Sequence, residues 1–148
     1  MIEFKNISKH YQLKGQTLRA LDQINLQIPT GSIFGIIGYS GAGKSTLLLQ
    51  IMCGLAAQGG ALYVTGEESL QQVAMRAQRL GLPMSELKML AETNVETICH
   101  LAQQEKPRIM VIDSIQVMHL ADIQSAPGSV SQVRESAAFL TRFAKQHQ

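Results

Sequence analysis

The chain has 148 residues, of which 45% are hydrophobic and 16% are charged, and its net charge is +2. This composition is typical of one globular domain and excludes an intrinsically disordered chain. The charges are scattered and nearly balanced, which excludes a strongly basic surface of the kind that binds nucleic acids or anionic membranes. We therefore expect no membrane insertion, and the composition does not argue for DNA binding, although it does not exclude weak binding to nucleic acids.

The cysteines and the N-terminus predict a protein of the reducing cytoplasm. Cys53 and Cys99 lie in apolar helical stretches with no CxxC pair, and the four histidines show no metal-ligand spacing. We therefore interpret both thiols as core residues. The opening sequence MIEFKNISKHY lacks the apolar stretch of a secretion signal.

The first third of the chain predicts strands of an antiparallel sheet. Ile24, Leu26 and Ile28 alternate with polar residues, as in a strand with one face in water. A shorter pattern of the same kind begins at Ile2, and the turn residues 29 to 31 end the longer one.

Four later segments predict a parallel sheet. They are apolar without alternation, as expected for strands that are covered on both faces. The segments are residues 33 to 38 (IFGIIG), 61 to 65 (ALYVT), 108 to 113 (RIMVID) and the shorter 88 to 91 (KMLA).

Helices alternate with these strands. One is predicted over residues 45 to 57, and three more begin at capping boxes, in which a hydroxyl residue is followed three positions later by Glu or Gln. The boxes are Ser69 with Gln72, Thr93 with Glu96, and Ser129 with Gln132. This alternation predicts an α/β fold of three layers, α/β/α, in which a mainly parallel sheet carries an added N-terminal antiparallel portion. Without repeats or linkers, residues 1 to 148 are expected to form a single domain.

Residues 38 to 46, GYSGAGKST, predict a phosphate-binding loop. They match G-x-x-x-x-G-K-[ST] and lie between a predicted strand and a predicted helix. Glycines let backbone N–H groups surround an anion, and the helix N-terminus adds donors and partial positive charge. The motif therefore indicates binding of Mg-ATP. The predicted nucleotide contacts are Gly38, Ser40, Gly41, Ala42, Gly43, Lys44, Ser45 and Thr46.

Individual residues of this loop have predicted roles. Lys44 is expected to reach the β and γ phosphates and to act in catalysis, and Thr46 to donate to the α phosphate. The Ser45 hydroxyl is a predicted Mg²⁺ ligand. Asp113 ends a predicted buried strand, where a carboxylate can hold the same Mg²⁺, usually through a water.

Two acids follow the strand 61 to 65. Ligands collect at the carboxyl ends of parallel strands, so Glu67 or Glu68 is predicted to activate the attacking water. Both also suit the start of the helix after Ser69, where acids favour the helix dipole. The residues alone do not choose between the two acids.

Residues 1 to about 46 resemble the start of ABC-transporter ATP-binding subunits, especially of the methionine-importer type. The strings that carry the resemblance are MIEFKNISKHY, LRALDQINLQIPTGSIFGIIG and IIGYSGAGKST. The resemblance implies that residues 38 to 46 are a Walker A motif. It also implies that Tyr11, at the A-loop position, stacks on adenine; a half-buried aromatic at a strand end is the other interpretation.

From about Leu47 the chain instead resembles the RecA-like ATPase core of the bacterial RadA/Sms DNA-repair family. The matching strings are LYVTGEESLQQVAMRAQRLGLP, MVIDSIQVMH, SAPGSVSQVRE and AAFLTRFAK. This resemblance implies that Lys44, Asp113 and the pair Glu67 and Glu68 are its Walker A, Walker B and GEE residues. The two resemblances together imply an engineered chimera joined at the Walker A helix.

Both families have features that this sequence lacks. The Q-loop, the LSGGQ signature and the switch histidine of ABC subunits are absent, and Ser114 stands where an acid should follow the Walker B aspartate. The zinc finger, the KNRFG motif and the protease-like domain of the RadA family are absent as well. We therefore expect no transporter partner and no full DNA-repair activity.

The resemblance also implies a gap in the sheet. In the RecA-type strand order, another strand lies between the P-loop strand and the Walker B strand. Either these two strands pair directly, or a partner chain fills the gap in a homo-oligomer, or Asp113 is misplaced. An open gap would expose unpaired backbone groups.

Three functions remain in competition at this point. The first is Mg-ATP binding with slow hydrolysis, slow because no arginine finger can be assigned and such a residue is worth about 10³- to 10⁵-fold in rate. The second is a module that binds nucleotide or phosphate without turnover. The third is a RadA-like ATPase fragment that retains single-stranded DNA binding, which the low net charge disfavours.

Overall fold

The computed structural model describes residues 1 to 13, 15 to 37 and 43 to 147. Within these ranges, side chains are not described at Lys9, Tyr11, Leu13, Leu18, Ala20 and Leu21. The described helices are too short or too polar to cross a membrane.

The N-terminal part is an antiparallel hairpin. Strand β1 (Ile2–Leu13) pairs with strand β2 (Gln16–Ile28), with Ile2 opposite Ile28 and Phe4 opposite Leu26. The register shifts between Phe4 and His10, which is typical of β-bulges. The predicted antiparallel portion is confirmed, and both strands are longer than the alternation alone indicated.

The parallel sheet has three strands in the described part of the chain. Strands β3 (Ala61–Thr65), β4 (Leu87–Ala91) and β5 (Ile109–Asp113) lie in the order β4-β3-β5. The central strand β3 is buried at all five residues, because it has a strand on each side and helices on both faces. Thr65 is level with Asp113, so β3 and β5 end together.

Helices cover both faces of this sheet. The helices are α1 (Lys44–Ala56), α2 (Leu70–Arg79), α3 (Val95–Glu105) and α4 (Val130–Gln146), with a 3₁₀ turn at Ile115–Val117. Ala61 and Tyr63 pack with α1 and α2, whereas Leu62 and Val64 pack with α3 and α4. Successive residues of a strand face opposite sides, so β3 contributes to two cores. The predicted α/β/α layers are confirmed.

The helix caps agree with the sequence in part. Ser69 and Gln72 form the complete capping box. Ser129 caps α4 by accepting a hydrogen bond from the Gln132 N–H. The second bond of the box is missing, because Gln132 Oε1 instead accepts from the Leu120 N–H. The predicted box at Thr93 and Glu96 is wrong, because the cap of α3 is Asn94, whose side chain accepts from the Thr97 N–H at 2.7 Å.

The predicted strand over residues 33 to 38 is not formed where the structure describes it. Residues 33 to 37 belong to no strand, and the side chains of Ile33 and Ile37 are 53% and 97% exposed. No other described segment lies beside β5 on its outer edge. A strand needs a neighbouring strand for its backbone bonds, so an apolar pattern alone does not place it in the sheet.

Candidate functional site

The candidate site lies at the carboxyl edge of the sheet, where β3 and β5 end. The Gly66 N–H donates to the Asp113 carbonyl at 3.0 Å, which joins the residues after β3 to the end of β5. This bond keeps Glu67 and Glu68 at the same edge as Asp113. The structure thus places Glu67, Glu68 and Asp113 at one edge of the sheet, and their roles toward water and Mg²⁺ stay predictions.

Asp113 is held from inside the core. The Tyr63 hydroxyl donates a hydrogen bond to Asp113 Oδ2. Tyr63 is fully buried in the middle of β3. Burial, followed by the hydrogen bond to Asp113 and the charge of that carboxylate, raises the pKa of Tyr63 far above its usual value. Tyr63 is therefore a permanent donor to Asp113 at physiological pH.

Glu67 is connected to the segment that follows Asp113. Its Oε1 accepts from the Ser114 hydroxyl at 2.6 Å and lies 3.4 Å from Gln116 Nε2, which donates to it. The side chain is otherwise exposed at the edge of the sheet. Glu67 therefore lies beside Asp113 with its carboxylate accessible to solvent.

Glu68 points to another part of the molecule. Its carboxylate forms an ion pair with Arg76 of α2, whose side chain is only 15% exposed. Its backbone is fixed by Thr65, whose Oγ1 accepts from the Glu68 N–H at 3.1 Å and donates to the Glu68 carbonyl at 2.8 Å. Glu68 thus connects β3 to α2, and its carboxylate is already neutralised by an arginine.

Gly66 separates these two acids from β3 and is closely packed. A Cβ at this position would lie 2.4 Å from Val117 Cγ2 and 2.9 Å from Met118 Cε. Atoms that close overlap strongly, so only glycine fits without movement of the 3₁₀ turn. Gly66 therefore allows the acids to approach the chain that leaves β5.

The described part of the predicted phosphate-binding loop is the start of α1. Gly43 is the N-cap with φ 81°, a left-handed conformation that favours glycine, and it gives the helix no side-chain cap. Lys44, Ser45 and Thr46 form the first turn. Gly38, Ser40, Gly41 and Ala42 lie outside the described residues, as does the side chain of Tyr11.

The first turn of α1 lies toward the acidic edge. Helix α1 packs along β3 and ends at Ala56, shortly before the amino end of that strand at Ala61. It therefore runs back against the strands, and its N-terminus lies toward their carboxyl ends. The partial positive charge of a helix N-terminus suits a phosphate there.

The donor set fits magnesium better than a softer metal. Within residues 1 to 13, 15 to 37 and 43 to 147, no three His, Cys, Asp or Glu side chains cluster to form a metal site. Magnesium is usually held by one or two carboxylates together with waters and substrate phosphates. Asp113 and the Ser45 hydroxyl suit that chemistry.

The partners of the acids were not predicted from the sequence. Tyr63 and Arg76 belong to elements that the pattern assigned to packing, and Ser114 was noted only as a departure from the ABC pattern. A tyrosine within a buried strand was the available signal, because a buried hydroxyl needs a partner.

Comparison with known proteins identifies two groups of relatives. Residues 21 to 145 match a family model described as ABC transporter. The DNA repair protein RadA of Haemophilus influenzae is 73% identical over 121 residues, which are 82% of this chain and 26% of that protein. The RadA of Escherichia coli K12 is 70% identical over 115 residues, 78% of this chain and 25% of that protein.

A more distant relative has the same name. The DNA repair protein RadA of Bacillus subtilis is 48% identical over 116 residues, covering 78% of this chain and 25% of that protein. The chain therefore spans about a quarter of the length of these curated relatives.

Proposed function

We propose that this chain binds Mg-ATP through residues 38 to 46 and Asp113 and hydrolyses it slowly. The chain belongs to the ABC transporter family. The observation that carries the proposal is the complete GYSGAGKST motif of the sequence, whose last three residues, Lys44 to Thr46, open α1. In this proposal Lys44 contacts the β and γ phosphates, and Ser45 and Asp113 hold the magnesium ion. Tyr11 stacks on the adenine.

The binding step is tested by Lys44→Ala. Calorimetric titration with Mg-ATP should show an affinity at least about tenfold lower than that of the unaltered chain, since a charged hydrogen bond to phosphate contributes about 1.5–3 kcal/mol. Lys145→Ala, which removes a cation from the last turn of α4, is the matched control and should bind normally. Equal affinity of the Lys44→Ala variant and the control would contradict the proposal.

Glu67 is the better candidate for the residue that activates water. Its carboxylate is accessible and lies next to Ser114, whereas the Glu68 carboxylate is paired with Arg76. A carboxylate must reach water to orient or deprotonate it, and the Glu68 carboxylate is occupied by its ion pair with Arg76. We therefore assign the base role to Glu67 and a structural role to Glu68.

Single-turnover release of phosphate separates these roles. Glu67→Gln should lower the rate by about 10²-fold or more, the usual contribution of a general base. Glu68→Gln should lower the rate less and destabilise the contact between β3 and α2. A variant that combines Glu67→Gln with Glu68→Gln gives the background rate. If the unaltered chain releases phosphate no faster than this double variant, hydrolysis is absent and the chain is a nucleotide-binding module without turnover.

Single-stranded DNA binding is the second candidate function. The relatives named DNA repair protein RadA, at up to 73% identity, favour it, and the net charge of +2 opposes it. Phosphate contacts release counterions, so genuine binding of an oligonucleotide should weaken as salt increases. Absence of binding at low salt would exclude this function.

The chimeric origin is also a proposal. It is supported by the ABC-like strings before the phosphate loop and the RadA-like strings after it. The 121-residue similarity to RadA is longer than the segment 47 to 148, so it extends beyond the proposed junction. If residues 1 to 46 align with RadA proteins as well as the later residues do, there is no junction.

The remaining proposals concern location and partners. We assign the chain to the cytoplasm, with nucleotide as its ligand and no transporter partner. A homo-oligomer formed through the outer edge of β5 is proposed because that edge has no neighbouring strand among the described residues.

A further inference from the structure

The strongest unexplained feature of the site is the buried hydrogen bond between Tyr63 and Asp113. The two residues are 50 positions apart in the chain and come from neighbouring strands. Tyr63 is level with Val111, so Asp113 lies two residues further along β5 on the same face of the sheet. The bond is therefore built by the register of the two strands.

The ring and the hydroxyl of Tyr63 have different tasks. The ring packs in the core with α1, where Leu49 and Met52 lie in the same cluster, and a phenylalanine would fill that space equally well. The hydroxyl adds nothing to apolar packing and needs a partner when buried. Its partner is the one carboxylate that ends β5.

We propose that Tyr63 is a positioning residue that holds Asp113 Oδ2 toward the core and leaves Oδ1 available to bind Mg²⁺ or its water shell. This inference rests on the proposed function, because it assigns a role toward the Mg²⁺ of bound Mg-ATP. A carboxylate held at one oxygen cannot rotate freely, which lowers the cost of ordering it around a metal. The Tyr63 hydroxyl itself does not contact the nucleotide.

Tyr63→Phe tests the inference because it removes the hydroxyl and keeps the ring. Residues that hydrogen-bond to a metal ligand typically contribute 10- to 100-fold to metal affinity. Mg²⁺ increases the affinity for ADP, and the midpoint is the Mg²⁺ concentration that gives half of this increase. In Tyr63→Phe this midpoint should rise about tenfold. ADP affinity measured in EDTA should not change. A purely structural tyrosine would alter the melting temperature but leave the magnesium dependence unchanged, and that result would overturn the inference.

Asp113→Asn and the double variant provide the control. If Tyr63 acts through Asp113, the magnesium dependence of Tyr63→Phe combined with Asp113→Asn should equal that of Asp113→Asn alone. Additive effects would show that the two residues act independently and would overturn the inference. If the unaltered chain does not bind Mg-ATP, the proposed function itself fails. If the unaltered chain binds Mg-ATP and the Tyr63→Phe variant shows the same magnesium dependence, only the role of Tyr63 fails.

A second measurement covers the case in which Tyr63→Phe does not fold. The chain has three tyrosines, so fluorotyrosine labelling gives three ¹⁹F signals, and Tyr11→Phe and Tyr39→Phe identify that of Tyr63 by elimination. Adding Mg²⁺ to the ADP-bound chain should shift this signal, and the shift should vanish in Asp113→Asn. An unchanged Tyr63 signal on addition of Mg²⁺ would overturn the inference.

Discussion

At the scale of single residues, Gly66 shows how closely the two strand ends approach. Its missing side chain admits Val117 and Met118, and its N–H donates to the Asp113 carbonyl. The same residue therefore packs against the segment that follows β5 and is hydrogen-bonded to the end of that strand.

Gly66→Ala should destabilise the chain, because overpacking in a dense core costs about 1–3 kcal/mol. Urea denaturation measures the free energy of unfolding. Gly54→Ala is the matched control: Gly54 lies in α1 with nothing near its Cβ position, so alanine there should raise stability by about 0.5–1 kcal/mol. If both variants lower stability equally, the close contact at Gly66 is not responsible.

The two cysteines should be inert in the native state. Both are buried. Burial raises the pKa of Cys53, and burial together with the Glu96 carboxylate raises the pKa of Cys99 to about 11. At pH 8 almost no thiolate is present at Cys99, so its reaction with a disulfide reagent should be roughly a hundredfold slower than in the denatured chain. Rapid labelling of the native chain at pH 8 would contradict this.

At the scale of elements, the start of α3 shows the limit of reading a cap from sequence. Thr93 and Asn94 are adjacent, and both residue types suit an N-cap. Only the Asn94 side chain accepts a hydrogen bond from the Thr97 N–H. The backbone angles decide between them, and tertiary contacts set those angles. Glu96, which the box would have used, instead accepts from the Ala121 N–H.

Asn94→Ala should lower the free energy of unfolding by about 1 kcal/mol, the usual contribution of an N-cap. Thr93→Val removes the hydroxyl of the residue that the sequence predicted as the N-cap and keeps the shape of its side chain. This variant should lose less than half of the free energy of unfolding that Asn94→Ala loses. Thermal or urea denaturation of the two variants measures the difference. A larger loss for Thr93→Val would assign the cap to Thr93.

Helices and most strands were predictable because their patterns are local. Strands β3, β4 and β5 were predicted within a residue of their observed bounds, because buried parallel strands are continuously apolar. Residues 33 to 37 have the same pattern without forming a strand, since pairing depends on a neighbour that the local sequence does not specify. The positions of Asp113, Glu67 and Glu68 after strand ends were predicted, whereas their contacts with Tyr63, Ser114 and Arg76 depend on the three-dimensional fold.

At the scale of the whole molecule, the sheet has an open side. Strand β5 pairs only with β3 among the described residues, and its side chains are half-buried, whereas those of β3 are fully buried. Residues 33 to 37 form a separate segment with exposed apolar side chains. Unpaired edges and exposed apolar segments promote association between chains.

The chain should therefore self-associate as its concentration rises, which analytical ultracentrifugation measures. Ile37→Lys should weaken association by about tenfold, because burying an isoleucine contributes about 1.5–3 kcal/mol. Met75→Lys is the matched control: Met75 is an exposed apolar residue on α2, and lysine there should have no effect. A chain that stays monomeric at all concentrations would contradict the proposed homo-oligomer.

The bond between Gly66 and Asp113, together with that between Glu67 and Ser114, has a consequence for the geometry of the strand ends. Both bonds join the ends of β3 and β5, which already pair along their length, whereas Lys44 belongs to the start of a helix. The sheet therefore sets the backbone positions of Asp113 and Glu67 relative to each other. In the proposed function, exchange of ADP for ATP would be accommodated on the side of α1 and would leave this spacing unchanged.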